Sequence, residues 1–574
     1  MGTPETFTFS KGLNLKRSPL FLEDGELVAC EGFDFPNDGE IVARTPVEAV
    51  NSTAYGSING IHRYINYVYL TYDGTIRGKW DLNGYCDLYT PANGNFDLKG
   101  TAGMLGNSLR PRFADYNEFT FILNGLNNKV AYTTNVADWG VANPTDAPVC
   151  TDSGGGSGPS GTYSCYYTWL VKFPNGRTYE TGPSPAATVT LTDNTITWTG
   201  IQPCPYKGSE LKRYRKLYRT SDTLIDTYYV TTIADNSTTT YTDSETDATL
   251  QANDIIETED YQPPPSGLID ATDYLQRIFA TKANMLYWSE PYIPFAFPAA
   301  NGIAVARDGE VLQGIQVWGE QLYIPTTYTW YRLQGQDSAT WAIKNTFAEV
   351  GIINRHTLKK TRYGLVGLWY DGIYLFNGMT SKNITLGKLD KGFFSAISSL
   401  PSCYAEWDGI HYFFHYPVSG TTISKCLVLD FSGYPNLRCY HSDFVPTAFE
   451  YHTPSGIKYF GSATGYQYKE GTTDTIALSL QTGDRAVKNI LKQKQTEWLW
   501  YDINTAGEDV TLIIYADGVA QSPTYTLNHA TRTRKRISLA SFSGYRFSIA
   551  LSCADGKDVV IYEPWTMSFN EFGV

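Results

Sequence analysis

The segment GLVGLWYDGIYLFNG, from Gly364 to Gly378, constrains the fold more than any other stretch of the chain. Aromatic and aliphatic residues alternate along two arms, and Asp371-Gly372 between them is a dipeptide suited to the positive φ angles of a two-residue hairpin turn. Related units are CYAEWDGIHYFFHY around Asp408-Gly409, FEYHTPSGIKYFG around Ser455-Gly456 and YVYLTYDGTIRGKW around Asp73-Gly74. Weaker members are FADYNEFTFILNG at 113–125, LQRIFATKANMLYWSE at 275–290 and IQVWGEQLYIPTTYTWYRL at 315–333. A single hairpin cannot bury its apolar face, so repeated hairpins must pack on one another. The 43 Tyr, 27 Phe and 13 Trp set against 51 Gly suit strands and tight turns rather than helices.

Outside one interruption, these seven units recur at roughly the 40–50-residue spacing of four-stranded propeller blades. The expected fold class is all-β, a β-propeller of about seven blades, although aromatic hairpins also build sandwiches and solenoids. With 574 residues, the chain exceeds what one core sustains, so two to four domains are expected. The interruption begins at Ser153 with SGGGSGPSG, which reads as an exposed loop or linker. Short Thr-, Tyr- and Val-rich strands with frequent turns follow over residues 162–250 and suggest an inserted fibronectin-like β-sandwich. YQPPPSG at 261–267 reads as a second linker, because consecutive prolines cannot donate ladder hydrogen bonds. From 476 onward, segments such as EWLWYDIN and DVTLIIYADG alternate like a second, C-terminal β-sandwich. The expected division is 1–152 for an N-terminal segment and the first blades, 153–260 for the insert, 261–475 for the remaining blades and 476–574 for the last sandwich.

The chemistry-bearing residues point away from catalysis. A net charge of −13 disfavours a protein that grips nucleic acid, though not a wall along which DNA slides. Nine cysteines without a CxxC pair make a poor disulfide framework and read as reduced structural thiols. No apolar run is long enough to span a membrane, and the N-terminus has no apolar signal-peptide core, so a soluble chain not secreted by that route is expected. Gly2 with Thr6 fits a loose myristoylation pattern that recurs by accident.

Gly156, Gly158 and Gly161 have GxGxxG spacing but lack the strand and helix that a dinucleotide site requires. None of the seven histidines sits in a metal array; His411 and His415 would lie about 13 Å apart on one strand face, too far for one metal. Local hydrogen bonding is the expected fate of these histidines. Paired carboxylates are what a glycan-cleaving propeller would need, yet Asp73, Asp371 and Asp408 each sit in an Asp-Gly turn that explains them. No catalytic, cofactor or metal residue is expected. Two basic runs stand out as subunit-contact or nucleic-acid-facing patches: Lys207, Lys212, Arg213, Arg215, Lys216 and Arg219, interleaved with Tyr214 and Tyr218, and Arg532, Arg534, Lys535 and Arg536.

The opening KGLNLKRSPLFLEDGELVACEGFDFPNDGEIVARTP resembles the start of the β-propeller tail proteins of short-tailed bacteriophages. Leu286 to Pro291 followed by Phe295 and Phe297-Pro298, then GEQLYIPTTYTWYRLQG and GLWYDGIYLFNG, continue the resemblance in order. Gly176, Glu180 to Ser184 and LYRTS resemble the domain inserted in those proteins, and the C-terminal sandwich fits as well. The resemblance implies a non-enzymatic virion protein acting as a tail hub, nozzle or packaged-DNA stabilisation protein, made in the host cytoplasm. It further implies a ring of about six copies around the DNA exit channel. The implied partners are adaptor or tail-tube proteins, tail fibre or needle proteins, and passing double-stranded DNA. The alternative is a propeller that binds or cleaves host-surface carbohydrate, or docks to the cell surface as an adhesin.

Overall fold

A computed structural model describes residues 3–37, 39–64, 67–72, 75–80, 96–98, 101–106, 109–132, 135–208, 210–307, 309–453, 456–487 and 491–571. Gly2, the Asp73-Gly74 turn, Cys86 and Ser455 lie outside the described residues, and so do the expectations attached to them. The chain is almost entirely β, with only two short α-helices among the described residues, Asp247–Leu250 and Lys391–Ser395.

Six of the seven hairpin units fall each in its own four-stranded antiparallel sheet, and the unit around Asp408-Gly409 forms four antiparallel strands at one end of an eleven-stranded sheet. The first strands of these sheets are Gly60–Tyr64, Arg112–Tyr116, Asp270–Tyr274, Gln316–Trp318, Lys359–Thr361, Tyr404–Trp407 and Ala448–His452. Within each sheet the strands follow chain order outward, except in the seventh. There the fourth strand is Val47–Ala49, which pairs with Gln467–Glu470 through Tyr468↔Ala49, Lys469↔Glu48 and Glu470↔Val47. The seven first strands neighbour one another in sequence, and the seventh returns to the first, so they close a circuit around a common axis.

Apolar side chains hold successive sheets together. Phe279, Leu286 and Trp288 of the third sheet share a core with Leu322, Ile324 and Leu333 of the fourth. Trp330 of the fourth sheet stacks on Phe376 of the fifth at 4.3 Å with the rings 1° from parallel. Val366 and Leu368 of the fifth meet Tyr412 and Phe414 of the sixth, and Tyr404 of the sixth meets Phe449 and Phe460 of the seventh. Burying a side chain of this size contributes about 1.5–3 kcal/mol, so each seam is a substantial cohesive surface.

One turn differs from expectation. Trp369 pairs with Gly372, so the loop is Tyr370-Asp371 and Gly372 begins the return strand without a positive φ. Glycine there leaves room for the Asn383 side chain, whose amide nitrogen would stand 2.3 Å from a Cβ and would have to move aside. At Asp408-Gly409 the positive φ is present, and Asp408 Oδ1 accepts from the backbone N–H groups of Ile410 and His411.

Between the second and third sheets lies a two-sheet insert. Val149–Asp152, Ile196–Thr199 and Tyr241–Asp243 form one layer; Gly161–Lys172, Thr178–Glu180, Ala187–Leu191, Lys212–Thr220 and Thr227–Ile233 form the other. The boundary at 153 cuts behind the first of these strands, which pairs with Ile196–Thr199. SGGGSGPSG is accordingly a loop within the sandwich rather than an interdomain linker, fastened by the Gly155 and Gly156 N–H groups donating to Asn194 Oδ1. The proline run is packed as well, with Pro264 Cδ against Gly140. The insert docks through an aromatic cluster in which Phe295 lies 5.0 Å from Phe173, 5.1 Å from Phe119 and 5.4 Å from Tyr179.

The C-terminal sandwich is not confined to 476–574. Thr3–Phe7 pairs with Trp565–Glu571, Glu40–Ala43 with Val560–Tyr562, and Glu26–Glu31 with Leu478–Thr482. Its second sheet joins the sixth sheet of the circuit at the parallel bridge Glu31↔His441. The short N-terminal strands carry no local sign of a partner more than 400 residues away, which is why alternation alone assigned them to the first blades.

Phe295→Ala is expected to destabilise the protein by about 3–5 kcal/mol, because the cavity falls where the second sheet, the insert and the Phe295–Phe297 loop meet. Denaturant unfolding of the intact chain measures it. A cost under about 1 kcal/mol would mean that the insert is only loosely attached.

Candidate functional site

The first strands and the segments leading into them gather polar side chains around one cavity. His62, Arg110, Arg112, Gln316, His356, Lys359, Glu406 and Glu450 line a cavity of about 250 Å³ together with Phe113, Tyr404 and Phe449. It opens into a wider mouth of about 660 Å³ lined by Asn59, Arg110, Gln313, Arg355, His356 and Thr447 among others. These residues come from six of the seven sheets and the segments leading into them.

The charges pair from sheet to sheet. His62 of the first sheet reaches Asp115 Oδ2 of the second through Nε2 at 2.9 Å, and Glu450 Oε1 of the seventh through Nδ1 at 3.1 Å. Burial alone would lower its pKa, but the two carboxylates outweigh burial and raise it to about 10. The ring is therefore an imidazolium at neutral pH and donates from both nitrogens. Arg112 Nε donates to Asp270 Oδ1 of the third sheet at 3.0 Å, and Asp270 is fully buried, also accepting from the backbone N–H groups of Ala271 and Ile315. Lys359 of the fifth sheet pairs with Glu406 of the sixth. Burial nonetheless lifts the Glu406 carboxyl above its ordinary value, with Lys359 opposing and Glu450 adding to the rise.

The two basic runs meet different fates. In the insert, Arg215 and Arg219 are fully buried. Arg219 Nε pairs with Asp243 Oδ2 at 2.7 Å and its Nη1 with Asp247 at 3.1 Å, Arg215 donates to Thr238 O, and Lys216 pairs with Glu180 at 2.7 Å. Arg213 donates to Gly208 O, which leaves only Lys207 and Lys212 exposed. Arg215, Lys216 and Arg219 therefore form an internal ion-pair framework, while Lys207 and Lys212 stay on the surface; spacing alone could not reveal the acids that the sandwich brings to the three. Arg532, Arg534, Lys535 and Arg536, by contrast, are exposed on the strand Thr533–Ser538 and the residue before it. Arg532 chelates Asp502 at 2.8–3.0 Å and lies over Tyr562, while Arg536 faces Trp498.

No family model matches the chain, and no curated protein does. Among solved structures, the chain is similar to the extracellular domain of what is described as a putative one-component system from B. thetaiotaomicron, at 10% identity over 95% of this chain and 98% of that one, with a TM-score of 0.19. PorZ of the type-IX secretion system of Porphyromonas gingivalis is similar at 10% identity over 99% and 85%, with a TM-score of 0.20. An exo-β-1,3-galactanase from Phanerochaete chrysosporium is similar at 8% over 93% and 100%, with a TM-score of 0.19. Likeness at these scores carries no inference about what the chain does.

The other sequence candidates lie elsewhere or are otherwise engaged. Asp371 accepts from the Tyr374 hydroxyl and Asp408 pairs with His411 and Lys458, and neither lines the axial cavity. His415 is buried and stacked on Tyr404 at 4.2 Å. His62 is satisfied by residues from two other sheets rather than locally. Among the described residues, no group of three or more His, Cys, Asp or Glu could hold a metal.

Because the folded pKa of His62 is raised from 6.5 to about 10, its contribution to stability is complete below about pH 6.5 and is lost as pH rises toward 10. Thermal midpoints measured across that range should fall less steeply for His62→Gln than for the parent chain. Parallel slopes would show that the imidazolium bridge is not formed.

Proposed function

We propose that this chain is a non-enzymatic structural protein of a bacteriophage tail. In this reading the seven-sheet circuit is a seven-bladed β-propeller, the insert is a fibronectin-like sandwich, and copies assemble as a ring, about six in number, around the DNA exit channel. The observation that carries the reading is the continuity of the modules. The N-terminal segment closes the seventh sheet and also runs through both layers of the C-terminal sandwich, whose second sheet is continuous with the sixth. A body braced in this way transmits load without hinging. The axial cavity, about 250 Å³ at its waist, is far too small for a duplex whose major groove alone is about 12 Å wide. DNA in this reading passes between copies.

Among the described residues, the exposed strand Thr533–Ser538 pairs with Lys494–Asn504 and with no strand on its other edge. Arg534, Lys535 and Arg536 blunt that edge against indiscriminate strand pairing and offer cations to an acidic neighbouring copy or tail partner. Assembly would then give the protein its place in the virion and its contacts with adaptor, tube, fibre or needle proteins.

A second reading, a glycan-cleaving propeller, is favoured by one observation: Glu406, with its raised pKa, and Glu450 line the same cavity. Against it, Lys359 and His62 already engage both carboxylates.

Quantitative mass spectrometry of particles of the encoding virus distinguishes the two readings. About half as many copies as a twelve-fold portal supports the tail ring. Absence from the particle, together with glycan hydrolysis that Glu406→Gln abolishes, would overturn it in favour of the enzyme.

A further inference from the structure

After the sheet-to-sheet pairs are formed, two cations are left over at the mouth of the axial cavity. Arg112, Lys359 and His62 are each matched by a carboxylate; Arg110 and Arg355 are not. Among the described residues, neither has an acidic group within ion-pair distance. Arg110 lies over the Tyr404 ring at 3.7 Å and donates from one terminal nitrogen to Thr447 O, so its guanidinium is held in place with donors remaining. Arg355 makes no side-chain hydrogen bond among the described residues, and its Nε is fully shielded from solvent without an acceptor. An arginine in a cavity wall with neither an ion pair nor a side-chain hydrogen bond is suited to an anion with two or more oxygens.

The nearby acids are engaged by other groups and reach the two arginines only through their field. Asp270 is the closest in effect to Arg355, but both its oxygens already accept, one from Arg112 and the Ala271 N–H, the other from the Ile315 N–H. Glu406, which faces Arg110 electrostatically, is bound by Lys359 and accepts from the Trp407 N–H. His356 lines the same mouth, and its ring makes no hydrogen bond among the described residues. Burial, followed by Arg355, Arg110, Arg112 and Lys359, holds it well below its ordinary pKa, so it offers a neutral N–H without adding repulsion. Asn59, Gln313 and Ser402 supply further polar groups around the rim.

We propose that Arg110, Arg355 and His356 form a binding site for an oxyanion, the carboxylate or phosphate group of a small ligand entering the axial cavity from this mouth. The planar forks of two arginines suit bidentate oxygens, and about 660 Å³ leaves room for the body of the ligand outside the anionic group. The site depends on the packing of the seven sheets and not on the role of the chain in a tail, so either inference can fail without the other.

Isothermal titration of the intact chain at fixed ionic strength, with glucuronate, inorganic phosphate and glucose as separate probes, tests it. One-to-one binding of glucuronate, phosphate or both, with none of glucose, is expected, and the ratio of the two affinities identifies the source of the anion. Arg355→Met should weaken binding at least tenfold and Arg355→Lys less, while Arg177→Met, at an exposed site on the insert, leaves it unchanged. Selenate soaked into crystals of the unaltered protein provides a readout independent of any variant's folding. An anomalous selenium peak at the mouth, placed so that selenate oxygens lie about 2.7–2.9 Å from the Arg355 guanidinium nitrogens, supports the site. Absence of binding by all three probes and of selenate at the mouth would overturn it, as would binding that persists undiminished in folded Arg110→Met/Arg355→Met protein.

Discussion

Three residues near one end of the chain, Val47–Ala49, hold the circuit of sheets shut by lying against Gln467–Glu470 near the other. Every other first-to-fourth strand set is local in sequence and could form early. The seventh sheet cannot be completed until some 420 residues have found their places, with the loop-closure entropy that such separation costs. Once formed, this pairing fixes the first strands around a common axis and so creates the axial cavity. The same N-terminal segment continues into the sandwich built mainly from the C-terminal hundred residues, so closure of the circuit and assembly of the sandwich are coupled.

The cavity shows how a chain with a net charge of −13 can carry local surpluses of either sign. At the waist, cations and carboxylates from adjacent sheets match, and the matches between the second and third, fifth and sixth, and seventh and first sheets bridge seams that apolar packing also holds. Buried pairs of this kind contribute more to register than to net stability, because desolvation offsets much of the attraction. At the mouth the matching ends with Arg110 and Arg355, and the same low-polarity surroundings that strengthen the pairs leave these two cations exposed to the field of whatever anion arrives.

Much of the architecture was legible in the sequence because its units are local. All seven aromatic hairpins fall one to a sheet, and the insert begins close to the Gly-rich loop. What could not be read were relations across the chain: the N-terminal strands inside the C-terminal sandwich, and Glu180, Asp243 and Asp247 taking up Lys216 and Arg219. The axial cluster was missed for a related reason. His62 and Lys359 sit on first strands just outside the quoted hairpin units, whereas Glu406 and Glu450 lie inside CYAEWDGIHYFFHY and FEYHTPSGIKYFG, where a lone polar residue among apolar neighbours carries no sign of convergence until seven strands meet.

In the proposed reading, a rigid subunit whose own axial cavity is too small for DNA assembles with its copies to make the conduit. Cryo-electron microscopy of the assembled protein in particles tests this most directly. The account predicts a ring whose central axis lies between subunits, with DNA density there and the axial cavity of each subunit off the path. DNA density threading that cavity, or a single copy on the tail axis, would contradict it.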